Sequence, residues 1–153
     1  DLDPAAPATV VPCRRVACLL RERLAADGLT AYPKTSGGRG LHLYAPIRDL
    51  ADPVAYAREL ARDLAVAHPD LVARATPGAE RPGRVRIDWA QNDPAAVMVA
   101  PYSLRVRDAP IVSTPLRWAE VESCTGPGEL VFTAPTVLSR VEHHGDLFVP
   151  TGR

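Results

Sequence analysis

Asp1 and Asp3 stand on either side of a leucine, with Pro4 following. Two carboxylates at i and i+2 on an extended segment face the same side, where they can share one or two hard cations. A solvated acidic end would read the same way. A third carboxylate, Asp88, follows Val85 and Ile87 in "RVRIDWA". Aspartate is depleted in strand interiors and costly to bury unpaired, so it needs a metal, a backbone donor or a salt bridge to Arg84 or Arg86.

Chemistry of the opposite sign gathers in "YPKTSGGRGLHLYAPI", residues 32 to 47. The turn Ser36-Gly37-Gly38-Arg39-Gly40 is not the Walker pattern, because it leads into a strand and not a helix. Consecutive glycines let backbone N–H groups converge on an anion, and Lys34, Arg39, the Ser36 hydroxyl and His42 would add donors. A plain hairpin turn explains the glycines, but it has no need of the flanking Lys, Arg and His. Alternation places His42 with Tyr44, opposite Leu41 and Leu43. Arg105, in "PYSLRVR", could close over the same anion from a neighbouring strand or be an ordinary surface arginine.

These side chains need a scaffold. Apolar residues at Val16, Leu19, Leu20 and Leu24 predict a helix from about Cys13 to Asp27, stopped by Gly28. "LTAYP" predicts a short strand and "LHLYAPI" a half-buried one. A second helix begins after Asp52 as N-cap, with Pro53 in its first position, and ends before Pro69. "RVRIDWA" and "AVMVAPYSLRV" predict two strands joined by the turn "QNDPA". "TPLRWAEVE" predicts a short helix begun at Thr114 and Pro115, and a Gly/Pro-rich stretch leads to "DLFVP". The pattern is α+β or mixed α/β, a sheet packed by helices. Residues 1–153 read as a single domain.

Charge and cysteines narrow the classes. Lys+Arg and Asp+Glu balance at 18 each, so any anion site is a local cluster and not an overall basic field. Three cysteines without C-x-x-C spacing disfavour both a disulfide framework and a structural zinc site. No apolar run has membrane-spanning length and no signal peptide is apparent, so a cytoplasmic protein is expected. His143-His144 lack a partner set for a metal and read as surface residues.

Taken in order, "DLDP", "YPKTSGGRGLHLYAPI", "RVRIDWAQND" and "VAPYSLRVRDAPIVSTPLRWAEV" resemble the polymerase domain of bacterial ATP-dependent DNA ligase D, in the archaeo-eukaryotic primase superfamily. The resemblance runs from residue 1 to about residue 150. It implies a primase-polymerase core that adds NTPs or dNTPs to DNA ends in non-homologous end joining or gap filling. By position, Asp1, Asp3 and Asp88 would hold two divalent ions, Mn²⁺ or Mg²⁺. Ser36, Gly37, Arg39, His42 and Arg105 would bind the incoming triphosphate, with Lys34, Arg81 and Gln91 as further polar positions. Implied partners are a DNA primer-template or DNA end, Ku, and ligase or nuclease modules, without a membrane. The implied location is the bacterial cytoplasm, at the nucleoid during repair.

Domains of this family are about twice as long, and the half that precedes the first metal motif has no counterpart here. Asp1 would therefore lack the strand that precedes it in the family and would carry an α-ammonium beside the metal site, which predicts an incompletely formed site. Three function classes follow: a nucleotidyltransferase, a non-catalytic accessory domain that binds nucleotide or a repair partner, and a metal-dependent phosphohydrolase.

Overall fold

The structure, a computed structural model, describes residues 1–47, 50–74, 82–106 and 109–148. In chain order the elements are β1 (Leu2–Pro4), α1 (Val10–Ala26), β2 (Tyr32–Thr35), β3 (Leu41–Tyr44), α2 (Pro53–Ala67), β4 (Val85–Ile87), a 3-10 turn (Trp89–Asn92), β5 (Leu104–Val106), β6 (Pro110–Val112), α3 (Trp118–Ser123) and α4 (Ala134–His144). The architecture is α+β, as the sequence pattern indicates.

The main sheet has the order β2-β3-β1-β4, and each neighbouring pair is antiparallel. β1 is only three residues long, yet it holds an inner position, with Leu2 opposite both Leu41 of β3 and Ile87 of β4. Leu2 is buried, so the aspartates flanking it must face the other side. α1 covers the apolar face with Val10, Cys13, Val16, Ala17, Leu20 and Leu24, at helical spacing. Thr9 caps it by accepting from the Val11 N–H at 3.3 Å. α2 starts as predicted, with the Asp52 carboxylate accepting from the Ala55 N–H at 2.8 Å and Pro53 in the first turn.

Several boundaries differ from expectation, each for a local reason. The predicted strand over "LTAYP" lies further on, as β2, where pairing with β3 joins Lys34 to His42 and Thr35 to Leu41. "AVMVAPYSLRV" is a strand only from Leu104, because Tyr102 takes a left-handed backbone (φ 64°) in the turn before it. The helix expected from Thr114 begins at Trp118. The residues before it run extended beside β2, with Thr35 N–H donating to Thr114 O (2.8 Å) and Leu116 N–H to Pro33 O (2.9 Å). α4 lies where the sequence pattern gives only a Gly/Pro-rich stretch, although Pro135 near its start and Gly145 at its end are ordinary helix signals. Arg140 of α4 binds the Glu120 carboxylate and donates to Pro115 O (3.3 Å), fastening α4 to α3 and to that extended segment. Burial alone would raise the Glu120 carboxyl, but hydrogen bonds from Arg140 and the Arg117 N–H outweigh it and hold the pKa at about 2.

All three cysteines are free, and no described helix is long and apolar enough to cross a membrane. The turn meets β1 closely at Gly40, where an added Cβ would stand 2.1 Å from Leu2 O. Gly40→Ala should therefore lower stability by at least about 2 kcal/mol, a fall in Tm of roughly 4–8 °C in calorimetry. Gly128→Ala, which meets nothing within 4 Å, should leave it nearly unchanged.

Candidate active site

β1 and the end of β4 bring the three carboxylates together. Asp1, Asp3 and Asp88 each offer an oxygen within 4.8 Å of the other two, and all three are half-buried. Asp88 is not inside the strand as expected. β4 ends at Ile87, and Asp88 opens the 3-10 turn while its N–H donates to Asp1 O at 2.8 Å. That position avoids the cost of an aspartate within a ladder and still fixes its backbone. Arg86 answers the charge: its guanidinium donates to Asp3 at 2.8 Å and to Asp88 at 3.2 Å. The salt-bridge reading of Asp88 thus holds, and the same arginine also engages Asp3. Gln91 donates to Asp88 at 3.4 Å.

The glycine-rich turn closes the other side of the same space. It is pinned by Ser36 N–H to Gly40 O (3.0 Å) and by Gly40 N–H to the Ser36 hydroxyl (3.2 Å). Gly37 has φ 68°, and a Cβ there would stand 2.8 Å from the Arg105 side chain. Arg105 reaches in from β5 and donates to Ser36 O at 3.2 Å. Among the described residues no protein acceptor engages the amides of Gly37, Gly38 and Arg39, as an anion nest requires. A polar cavity of about 400 Å³ is lined by Asp1 and Asp3 on one side and by Ser36, Arg39, His42 and Arg105 on the other. Asp88 lines a neighbouring cavity that is mainly apolar and shares Asp1 with the first.

His42 lies between the two halves. Its Nε2 is 3.3 Å from Asp1 Oδ1, while Asp1 Oδ1 and His42 Nδ1 are both buried without a hydrogen-bond partner. Burial, and then the Lys34 charge, push its pKa down to about 3, so the ring is a neutral imidazole. Both residues line the polar cavity, and orphaned polar atoms at its wall fit a site that takes up a charged ligand.

Lys34 does not line that cavity. It is fully buried, and its ammonium donates to the Ser113 hydroxyl and to Thr35 O, tying β2 to the segment after β6. No carboxylate pairs with it among the described residues; burial, and then Arg105, lower its pKa to about 8. Ser113, which receives it, carried no sequence signal of its own. Arg81 lies outside the described residues. His143 and His144 are exposed in the last turn of α4 and belong to no metal-binding group among those residues.

With the site assembled, its relatives decide the family. The model of the LigD primase-polymerase domain matches residues 1–148. The chain belongs to that family. It is 38% identical over 156 residues to the multifunctional non-homologous end joining protein LigD of Mycolicibacterium smegmatis, covering 98% of this chain and 20% of that protein. The bifunctional LigD of Bacillus subtilis is 30% identical over 149 residues, or 95% of this chain and 24% of that one. The polymerase domain of Mycobacterium tuberculosis ligase D, solved in complex with DNA, superposes with a TM-score of 0.89 at 35% identity. The match covers 98% of this chain and 52% of that one. The chain therefore spans about a quarter or less of these LigD proteins and about half of the solved polymerase domain.

Lys34 supplies a test of this site's construction. Its folded pKa lies below that of the unfolded chain, so the unfolded state holds more protons between pH 8 and 10.5. Stability contributed by this site should rise with pH across that window. Denaturant unfolding at several pH values should show that rise in the wild type relative to Lys34→Met, which retains the volume without the charge.

Proposed function

We propose that the chain is the C-terminal portion of a primase-polymerase domain, folded as a single unit over residues 1–153. Its reaction is template-directed nucleotidyl transfer to DNA ends in non-homologous end joining or gap filling. The observation that carries this reading is the pairing, across one cavity, of Asp1 and Asp3 of the acidic cluster with an open anion nest flanked by Arg39 and Arg105.

Asp1, Asp3 and Asp88 would hold two Mn²⁺ or Mg²⁺ ions; three carboxylates suit hard, oxygen-seeking cations, and the unsatisfied Asp1 Oδ1 fits one. When bound, such ions activate a 3′-hydroxyl and neutralise phosphate charge. The protein's own part is positioning. Ser36, the amides after it, Arg39 and His42 would grip the triphosphate of an NTP or dNTP. Arg105, already held on Ser36 O, would keep the turn in shape and offset charge as the α-phosphate reacts. His42 enters as a neutral donor or acceptor. Gln91 would orient Asp88, and Lys34 would act only by holding β2. A cytoplasmic, nucleoid-associated location, with Ku and ligase or nuclease modules as partners, belongs to the same proposal.

Arg86 holds two of the three carboxylates in the absence of metal and so competes with a cation for their oxygens. Calorimetric titration with Mn²⁺ should show tighter binding, by severalfold, in Arg86→Ala than in the wild type, and at least about tenfold weaker binding in Asp88→Ala. Failure of the wild type to bind Mn²⁺ would count against the two-ion site.

Primer extension on a gapped template with Mn²⁺ and NTPs tests the function itself. Extension that falls at least about a hundredfold in Asp88→Ala is expected. Nucleotide binding without extension would instead favour the non-catalytic accessory domain, and nucleotide hydrolysis without primer the phosphohydrolase.

A further inference from the structure

Beyond the two cavities at the carboxylates, a further space of about 410 Å³ opens between α2 and the 3-10 turn. Its lining is unusual for a neutral chain: Arg58, Arg62 and Arg74 surround Ala61, Val66 and Trp89, and no carboxylate lines it. The Arg58 guanidinium lies 5.7 Å from the centre of the indole ring, forming a cationic aromatic platform. Arg58 and Arg62 are four residues apart on α2, roughly 6 Å along its axis. Arg62 contacts Asp63 at 3.2 Å, but its side chain is 69% exposed, so water screens the pair and leaves the guanidinium exchangeable. Arg58 and Arg74 have no carboxylate partner among the described residues.

We propose that this groove binds a stretch of single-stranded DNA. Its phosphodiester groups would lie on Arg58, Arg62 and Arg74, and one base would lie against the Arg58–Trp89 platform. Charge complementarity points to a polyanion, and the platform points to one that carries π faces, which every nucleobase does. Position supports the same occupant. Trp89 is the residue directly after Asp88, so the groove starts one residue from the third carboxylate. The proposal rests on the nucleotidyl-transfer reading, since it is that reading which brings a DNA strand to Asp88.

The test reads DNA binding without turnover. In Trp118→Phe, Trp89 is the sole indole, and its emission should be quenched saturably by an oligothymidylate of about 12 nucleotides. Anisotropy of the same labelled oligonucleotide with the wild-type chain gives a second reading that does not depend on that variant folding. Arg58→Ala/Arg62→Ala/Arg74→Ala, at exposed positions, should weaken binding at least about tenfold and reduce the slope of log K against log salt by about 2. Trp89→Phe should weaken it less and leave the salt slope unchanged. Absence of binding to the wild type, or equal binding by the triple variant, overturns the proposal. Competition by polyglutamate as effective as by DNA also overturns it, in favour of an acidic peptide. Mn²⁺ titration of the same triple variant separates the two readings: intact metal binding with lost DNA binding confirms the groove alone as the defect. DNA binding in a chain that takes up no metal would count against the active-site reading and not against the groove.

Discussion

Three carboxylates with oxygens inside 4.8 Å of one another repel strongly unless positive charge stands among them. Much of the described structure can be understood as meeting that constraint. Arg86 meets it locally, from the exposed face of β4. The backbone meets it rigidly, since Asp88 is tied through its N–H to Asp1, and β1 is clamped between β3 and β4. The opposing wall of basic groups then faces a preassembled acidic cluster, so one cavity presents both signs to a ligand that itself carries phosphate and metal.

Holding like charges close needs a stiff base, and the apolar face of the sheet supplies it. Leu2, Leu41, Val85 and the inner residues of α1 are buried in one core, directly beneath the strand that bears Asp1 and Asp3. Full burial of such side chains stabilises by about 1.5–3 kcal/mol each. Gly40 lets the anion-binding turn approach that strand closely, and Gly37 gives Arg105 room to pass. Neither glycine contacts a ligand through a side chain; both set distances between elements.

Local patterns in the sequence were enough for α1, α2, the turn and the three carboxylates, because periodicity, caps and glycines act over a few residues. Long-range pairing was harder to read. β1 is three residues with a proline at its end, too short for any alternation, and it is a strand because β3 and β4 flank it. The stretch from Ala96 to Ser103 has strand-like composition, but the turn at Tyr102, whose hydroxyl donates to Asp146 at 2.7 Å, stops it. Lys34 looked like an anion ligand by type and neighbourhood, and only the packing of the Ser113 segment over β2 shows that its ammonium faces inward. Arg58, Arg62 and Arg74 carry no sequence signal, since arginines on a helix face or in a loop are usually solvated, and the groove exists only once the 3-10 turn packs on α2.

The burial of Lys34 reaches past the site. It is the only lysine in the chain, so the folded protein shields its one side-chain amine entirely. Enzymatic lysine modification, and acylation read at Lys34 itself, require that nitrogen to emerge. It emerges when the β2 edge parts from the Ser113 segment, which makes its reactivity a single-site clock for the opening of that seam.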